Sequence, residues 1–239
     1  MTSSMFHANR SAYGCLPRKS RPGEWCPMAA DRIKLVPESE WDRLAKEMTL
    51  RPFVKTILDQ DRAGSCATES PTGAVMLRRA FAGIVPHVIL NPWFIYWHTG
   101  GVADRGDGRS GGSSIDENLA FIREKGIAPE SVWPRSKGWG YRGANKPSEE
   151  AYAAALDYRI VEFYDISSVE EMVSALLTGF PVVFGANGHA ICAVAHKGTY
   201  PLILNSWGDW GEGGFGKWCS YAGINWSYGA FAVRVTSEG

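Results

Sequence analysis

The stretch Gln60-Asp61-Arg62-Ala63-Gly64-Ser65-Cys66-Ala67-Thr68-Glu69 decides how the chain is read. A glutamine leads into a short run of small residues, then a cysteine where a helix is expected to begin. Ser65 is the expected N-cap. A cysteine just after a cap sits among unpaired backbone N–H groups at the positive end of the helix dipole. That setting lowers a thiol pKa and favours the thiolate, the nucleophilic form. Gly64 leaves room for a substrate backbone to approach. The Gln60 side chain carries an amide N–H₂ able to donate to a developing oxyanion.

A lone cysteine is most often a small buried residue. A catalytic one needs a base and a group that orients the base. Candidates for both lie late in the chain. His189 falls in Asn187-Gly188-His189-Ala190-Ile191, at the edge of an expected strand. Asn205 falls in Leu204-Asn205-Ser206-Trp207-Gly208, at the end of the next. Adjacent antiparallel strands would bring the two side chains together. The imidazole could take the thiol proton and return it to a leaving amine. The asparagine carbonyl would hold the other ring nitrogen and set the tautomer. Trp207 would shield that hydrogen bond from water.

Taken together, these segments resemble the papain/cathepsin family of cysteine peptidases. The matches are the glutamine-to-cysteine spacing, the strand-edge His-Ala, and Asn-Ser-Trp-Gly followed by Trp210-Gly211-Glu212-Gly213-Gly214-Phe215. Gly111-Gly112 looks like the family's substrate-binding glycine pair. The cysteine precedes the histidine by 123 residues and the asparagine by 139. The resemblance runs from about Val36 to Val235 and implies an α+β fold of two lobes, one helical and one an antiparallel, barrel-like sheet, with a cleft between. It also implies Cys66 as nucleophile, His189 as base and then acid, and Asn205 as its orienter. Gln60 and the Cys66 N–H would form the oxyanion hole. Gly64, Ser65, Gly111, Gly112, Gly188 and Trp207 would line the substrate site. A peptide or protein is the implied substrate, with no metal or organic cofactor.

The chain departs from the family in four places. Ala63 and Arg109 stand where a pair of linked cysteines is usual, and Ala67 replaces an aromatic residue. Glu69 suits the helix dipole but opposes a thiolate. Pro71 predicts a kink or break in the helix, because it lacks an N–H and crowds the preceding turn.

Net charge is +0, with 25 basic and 25 acidic residues, so nothing global points to nucleic acid or a membrane surface. The five cysteines include no C-x-x-C pair, which argues against a zinc ribbon or a disulfide scaffold. Ile84 to Trp97 is apolar but broken by Pro86, His87, Asn91 and Pro92, too short to span a bilayer. Met1 to His7 lacks the apolar core of a signal peptide. A cytoplasmic or virion-associated protein is the expectation.

Residues 1–35 form a separate, locally basic arm, with Arg10, Arg18, Lys19, Arg21, Arg32 and Lys34 against Glu24 and Asp31. Pro17, Pro22 and Pro27 argue against regular structure. It reads as an extension packed on the body, with a Cys15–Cys26 link as one way of clipping it. A docking arm for a protein partner, or an inhibitory arm, is the alternative. Residues 36–239 are the expected peptidase domain.

Helices are expected at Pro37–Met48 capped by Ser39, after Cys66, late in Ile84–His98, at Ile115–Lys125 with Gly126 as C-cap, and at Ser168–Thr178 closed by Gly179. Within Ile115–Lys125, Leu119, Ala120, Phe121 and Ile122 are expected inside. Arg51–Leu58 should be extended. Strands are expected at 181–184, 190–195, 202–204 and 231–235. Thr99–Ser114 is a glycine-rich loop. Its G-x-G-x-x-G at 106–111 has no preceding strand, so it is not read as dinucleotide-binding. Asp104 and Asp107 lack the spacing of a calcium loop. The expected activity is cleavage of peptide bonds by a thiol endopeptidase. Two other readings stand beside it. One is a structural or docking protein of a larger, even viral, assembly; the other is a related acyl transferase or cell-wall peptide hydrolase.

Overall fold

A six-stranded antiparallel sheet forms the frame, in the order β1-β6-β2-β3-β4-β5. The strands are β1 Glu162–Asp165, β2 Val182–Ala186, β3 His189–Lys197, β4 Tyr200–Leu204, β5 Phe215–Gly216 and β6 Ala230–Arg234. The computed structural model describes residues 13–100, 111–135 and 146–236. β2, β3 and β6 are almost wholly buried. One face, with Val183, Cys192, Val194, Phe231 and Val233, packs against helix α2, Cys66–Phe81. The other, with Phe184, Ile191, Ala193 and Ala232, packs against Met172, Val173 and Leu176. A strand buried on both faces has no polar alternation, so these segments read as short apolar runs. The sheet stays open, with β1 and β5 at its edges, and does not close into a barrel.

The other helices are α1 Glu38–Glu47, α3 Pro92–Thr99, α4 Ile115–Lys125, α5 Glu149–Ala155 and α6 Val169–Leu177. α6 is capped by Ser168, whose hydroxyl accepts from the Glu171 N–H. The Gly126 N–H closes α4 on Ile122 O. α1 begins after Pro37, so Ser39 lies inside the first turn and is not its cap. Arg51–Phe53 forms a 3-10 turn before the chain extends. Ala120 and Phe121 are half-buried rather than inside, while Ile115, Leu119 and Ile122 of that helix are fully buried. β1, β5 and α5 are too short or too polar in pattern to be read from the sequence.

Pro71 does not break α2, which runs 16 residues through it. The carbonyl deprived of a partner by Pro71 is Ala67 O, four residues earlier. The Asn118 side chain, reaching over from α4, donates to that oxygen at 2.7 Å. A distant amide replaces the missing backbone N–H. No helix among the described residues is long and apolar enough to cross a membrane.

Candidate active site

α2 and β3 meet at their N-terminal ends, which brings Cys66 beside the start of β3. The Ser70 hydroxyl donates to Ala190 O at 2.6 Å and pins the two elements together. The Ala190 backbone N–H in turn faces the Cys66 sulfur. β3 and β4 are antiparallel, with Cys192 opposite Leu204, so the start of β3 lies beside the end of β4. His189 and Asn205 occupy these positions, with Nε2 and Oδ1 2.7 Å apart. The Ser206 N–H also donates to Asn205 Oδ1, at 2.8 Å, which identifies that atom as the oxygen. His189 Nε2 is therefore the donor, and Nδ1 carries the lone pair of the neutral ring. His189 Nδ1 is buried and has no hydrogen-bond partner. Trp207 stacks on the imidazole at 4.6 Å between centroids and covers the hydrogen bond to Asn205.

Gln60 is buried, and its amide spans two neighbours. Nε2 donates to Ala63 O at 2.8 Å and Oε1 accepts from the Ser206 hydroxyl at 2.7 Å. Ser65 precedes α2 as expected, but its hydroxyl does not cap the helix. It donates to the Glu69 carboxylate at 3.1 Å.

Residues 13–16 of the arm lie in the cleft. The Gly14 N–H points at Cys66 Sγ, 3.3 Å away. Gly14 O accepts from Ser113 N–H, Ser113 O accepts from Leu16 N–H, and Gly188 O accepts from Cys15 N–H, at 2.9–3.0 Å. Gly14 threads between two other glycines. A Cβ on Gly14 would stand 1.8 Å from Gly64 O, and one on Gly112 would stand 2.7 Å from Gly14 O. Gly64, Gly112 and Gly188 thus meet a peptide backbone, but it belongs to this chain. The backbone pairing falls on Ser113 rather than on Gly111 or Gly112. Tyr13 meets His189 edge-on at 6.0 Å.

Beyond the cleft the arm is clamped by two buried carboxylates. Asp116 Oδ2 accepts from Lys19 N–H, Ser20 N–H and the Ser20 hydroxyl, at 2.7–2.9 Å. Asp165 accepts both ends of the Arg18 guanidinium and, at 3.0 Å, the Gly23 N–H. Cys15 and Cys26 are both unpaired and buried, Cys26 by Asp165 and Cys15 by Gly185. No disulfide clips the arm; the carboxylates hold it. Ala29 and Ile33 enter the same apolar cluster as Tyr164 and Met172.

Burial controls the acidities here. It pushes the Cys66 thiol up to about 11, despite the helix N-terminus and the N–H groups of Ala190 and Gly14. The expected low thiol pKa is absent because the seated arm keeps water from the sulfur. Burial likewise holds His189 down to about 4, opposed by the Asn205 hydrogen bond. Thiol and imidazole are both neutral in this closed arrangement. Among the described residues, no group of three His, Cys, Asp or Glu is placed to hold a metal. Arg109, Asp104, Asp107 and most of the glycine-rich loop lie outside the described residues.

Helix α2 against an antiparallel sheet, with a cleft at their shared end, is the papain-like cysteine protease fold. Xylellain, a cysteine protease of Xylella fastidiosa, superposes with a TM-score of 0.69 at 20% identity, over 95% of this chain and 97% of that one. A procathepsin B of Trypanosoma congolense superposes with a TM-score of 0.62 at 17% identity, over 94% and 86%. In sequence, the chain is 27% identical over 216 residues to an uncharacterized peptidase C1-like protein of Acanthamoeba polyphaga mimivirus. That match spans 72% of this chain and 66% of the relative. No family model matches the chain.

Proposed function

We propose that the chain is a thiol endopeptidase whose own N-terminal arm holds it closed. The observation that carries this is the His189–Asn205 hydrogen bond beside Cys66, with Nδ1 of the imidazole left to accept a proton. His189 Nδ1 takes the Cys66 proton as Sγ bonds the carbonyl carbon of a peptide. The carbonyl electrons move to oxygen, where the Cys66 N–H and the Gln60 amide stabilise them. The tetrahedral species expels the amine, which leaves with the proton from His189. Water, deprotonated by His189, then attacks the thioester and restores the thiol.

Extended peptide would enter where residues 13–16 now lie, against Ser113, Gly112, Gly64 and Gly188. Gly111 would act through the course of that loop, and Trp207 as a shield over the imidazole. The arm therefore has an occupant's role within its own chain. Five unpaired cysteines and the viral origin of the matched relative support work in a reducing cell interior or a virion.

The test is mass spectrometry after treatment with a peptidyl epoxide, on the full chain and on its Gly14→Val and His189→Ala variants. A single adduct on Cys66, faster in Gly14→Val and lost in His189→Ala, is expected. No adduct in any form, or equal labelling of several cysteines, would overturn the reading.

A further inference from the structure

Glu69 is a buried ionisable group that the proposed chemistry does not use. It lies one helical turn after Cys66, and its side chain is 0% exposed. Oε1 accepts from the Ser65 hydroxyl and faces Arg135 Nη1 at 3.5 Å. The Trp93 indole faces the carboxylate, but Oε2 has no hydrogen bond of normal geometry. Asn205, on the far side of the His189 ring, has the complementary pattern. Its oxygen is used twice, by His189 and by Ser206 N–H, while its buried Nδ2 donates to nothing.

Glu69 and Asn205 line one small cavity, together with Ser70, Cys192 and Ser206. It offers about 10 Å³ to water centres, roughly the volume that one water needs. A buried water is stable only with two or more polar partners. Here an unfilled acceptor and an unfilled donor belong to residues of the same wall.

We propose that Glu69 is a positioning residue for the His189–Asn205 pair. One water in this cavity donates to Glu69 Oε2 and accepts from Asn205 Nδ2. The amide is then held with its nitrogen toward the water and its oxygen toward His189. Without an acceptor on that side, only the two bonds to Oδ1, from His189 and from the Ser206 N–H, oppose rotation of the amide. The inference rests on the Cys66–His189–Asn205 reading above, but its readout needs no cleavage.

Charge on Glu69 would strengthen this link, and the residues around it put that charge in play near neutrality. Burial pushes the carboxyl up to about 7, against the opposing pull of Arg135, Ser65 and the Trp93 indole. Asp59 adds to the upward push. Cys66, at the head of the same helix, feels the Glu69 charge in return. These groups come from α2, from α3, from the segment before α2 and from the segment after α4.

The experiment is NMR of the intact chain labelled with ¹⁵N-asparagine, following the Asn205 side-chain amide across the neutral pH range. The expected result is a titration with its midpoint near 7. It is lost in the isosteric Glu69→Gln variant. It moves to higher pH in Arg135→Gln, because removal of a cation raises a carboxyl pKa. His189, held down to about 4, does not titrate in that window. An Asn205 signal that stays flat in the wild type would overturn the proposal, as would one that titrates unchanged in Glu69→Gln. Should Glu69→Gln fail to fold, the wild type and Arg135→Gln decide it alone: a midpoint that does not move would assign the titration to another group and overturn the proposal. Failure of the peptidase reading shows separately, as absence of the Cys66 adduct.

Discussion

The two halves of the arm are held in different ways. Residues 13–16 lie in the cleft by backbone hydrogen bonds to Cys66 Sγ, Ser113 and Gly188, with the buried Cys15 side chain and the Tyr13 ring adding only packing. Residues 18–23 are held by side-chain and backbone donors aimed at two buried carboxylates, Asp116 and Asp165. Backbone bonds of the first kind exchange for water at a net cost of about 1 kcal/mol each. Withdrawing the donors from a buried carboxylate leaves a charge without a partner, which costs several times more. The first half is therefore built to leave and the second to stay, so opening the cleft does not require the whole arm to come away.

The sharpest way to break that contrast is Asp165→Ala. It strands the Arg18 guanidinium, whose side chain is only 12% exposed, and should cost about 3 kcal/mol or more of folding stability. Chemical denaturation measures it, and an unchanged midpoint would mean the clamp is decorative. Gly14→Val acts on the other half. Its side chain collides with Gly64 O, so residues 13–16 should leave the cleft while the fold holds. Labelling of Cys66 should rise on the order of 100-fold, as expected from losing several bonds of about 1 kcal/mol. Equal rates in variant and wild type would show that the arm does not guard the thiol.

pH separates the halves next. His189 is held down to about 4 in the closed form and would recover toward its ordinary value once the arm lifts. The open state then binds more protons, so acidification from about 6.5 toward 4 should favour it, by at most about tenfold per pH unit. The carboxyl of Asp116 runs the other way. Burial alone would raise it, but hydrogen bonds from Ser20 and Lys19 outweigh that and hold it below its ordinary range. Its contribution is present above its unfolded pKa and is lost only as pH falls through the lower folded value. In mildly acid solution, hydrogen-exchange protection factors of the Cys15 and Leu16 amides should therefore drop, while those of Lys19 and Ser20 hold. A parallel loss at both places would remove the distinction. The smallest effect belongs to Ser20→Ala, which deletes one of the bonds to Asp116 but leaves the backbone donors. About 0.5–1.5 kcal/mol is expected from thermal or chemical unfolding.

Much of the site was legible because its chemistry is local. A cysteine opening a helix, a histidine opening a strand and an asparagine ending the next strand each follow from short windows of sequence. Antiparallel pairing of β3 with β4 then joins the last two. What the windows missed depended on residues far away. Pro71 looked like a helix breaker until Asn118, from another helix, supplied the lost donor to Ala67 O. Ser65 looked like a cap until Glu69 took its hydroxyl. Ser113 and Ser70 went unassigned, since a serine among glycines or inside a helix carries no signal of its partner. The arm read as an extension packed on the body, yet nothing in its sequence named Asp165 as the buried partner of Arg18.

By itself, the sequence determined the element types along most of the chain, the papain-like resemblance and the candidate groups for the proposed chemistry. Those are consequences of side-chain type and of spacing along the backbone. Only the tertiary structure decided that the arm lies over Cys66, that two carboxylates hold it there, and that the thiol is consequently neutral. Burial sets those properties. Burial depends on what the rest of the chain places around a residue, and no neighbouring stretch of sequence states it.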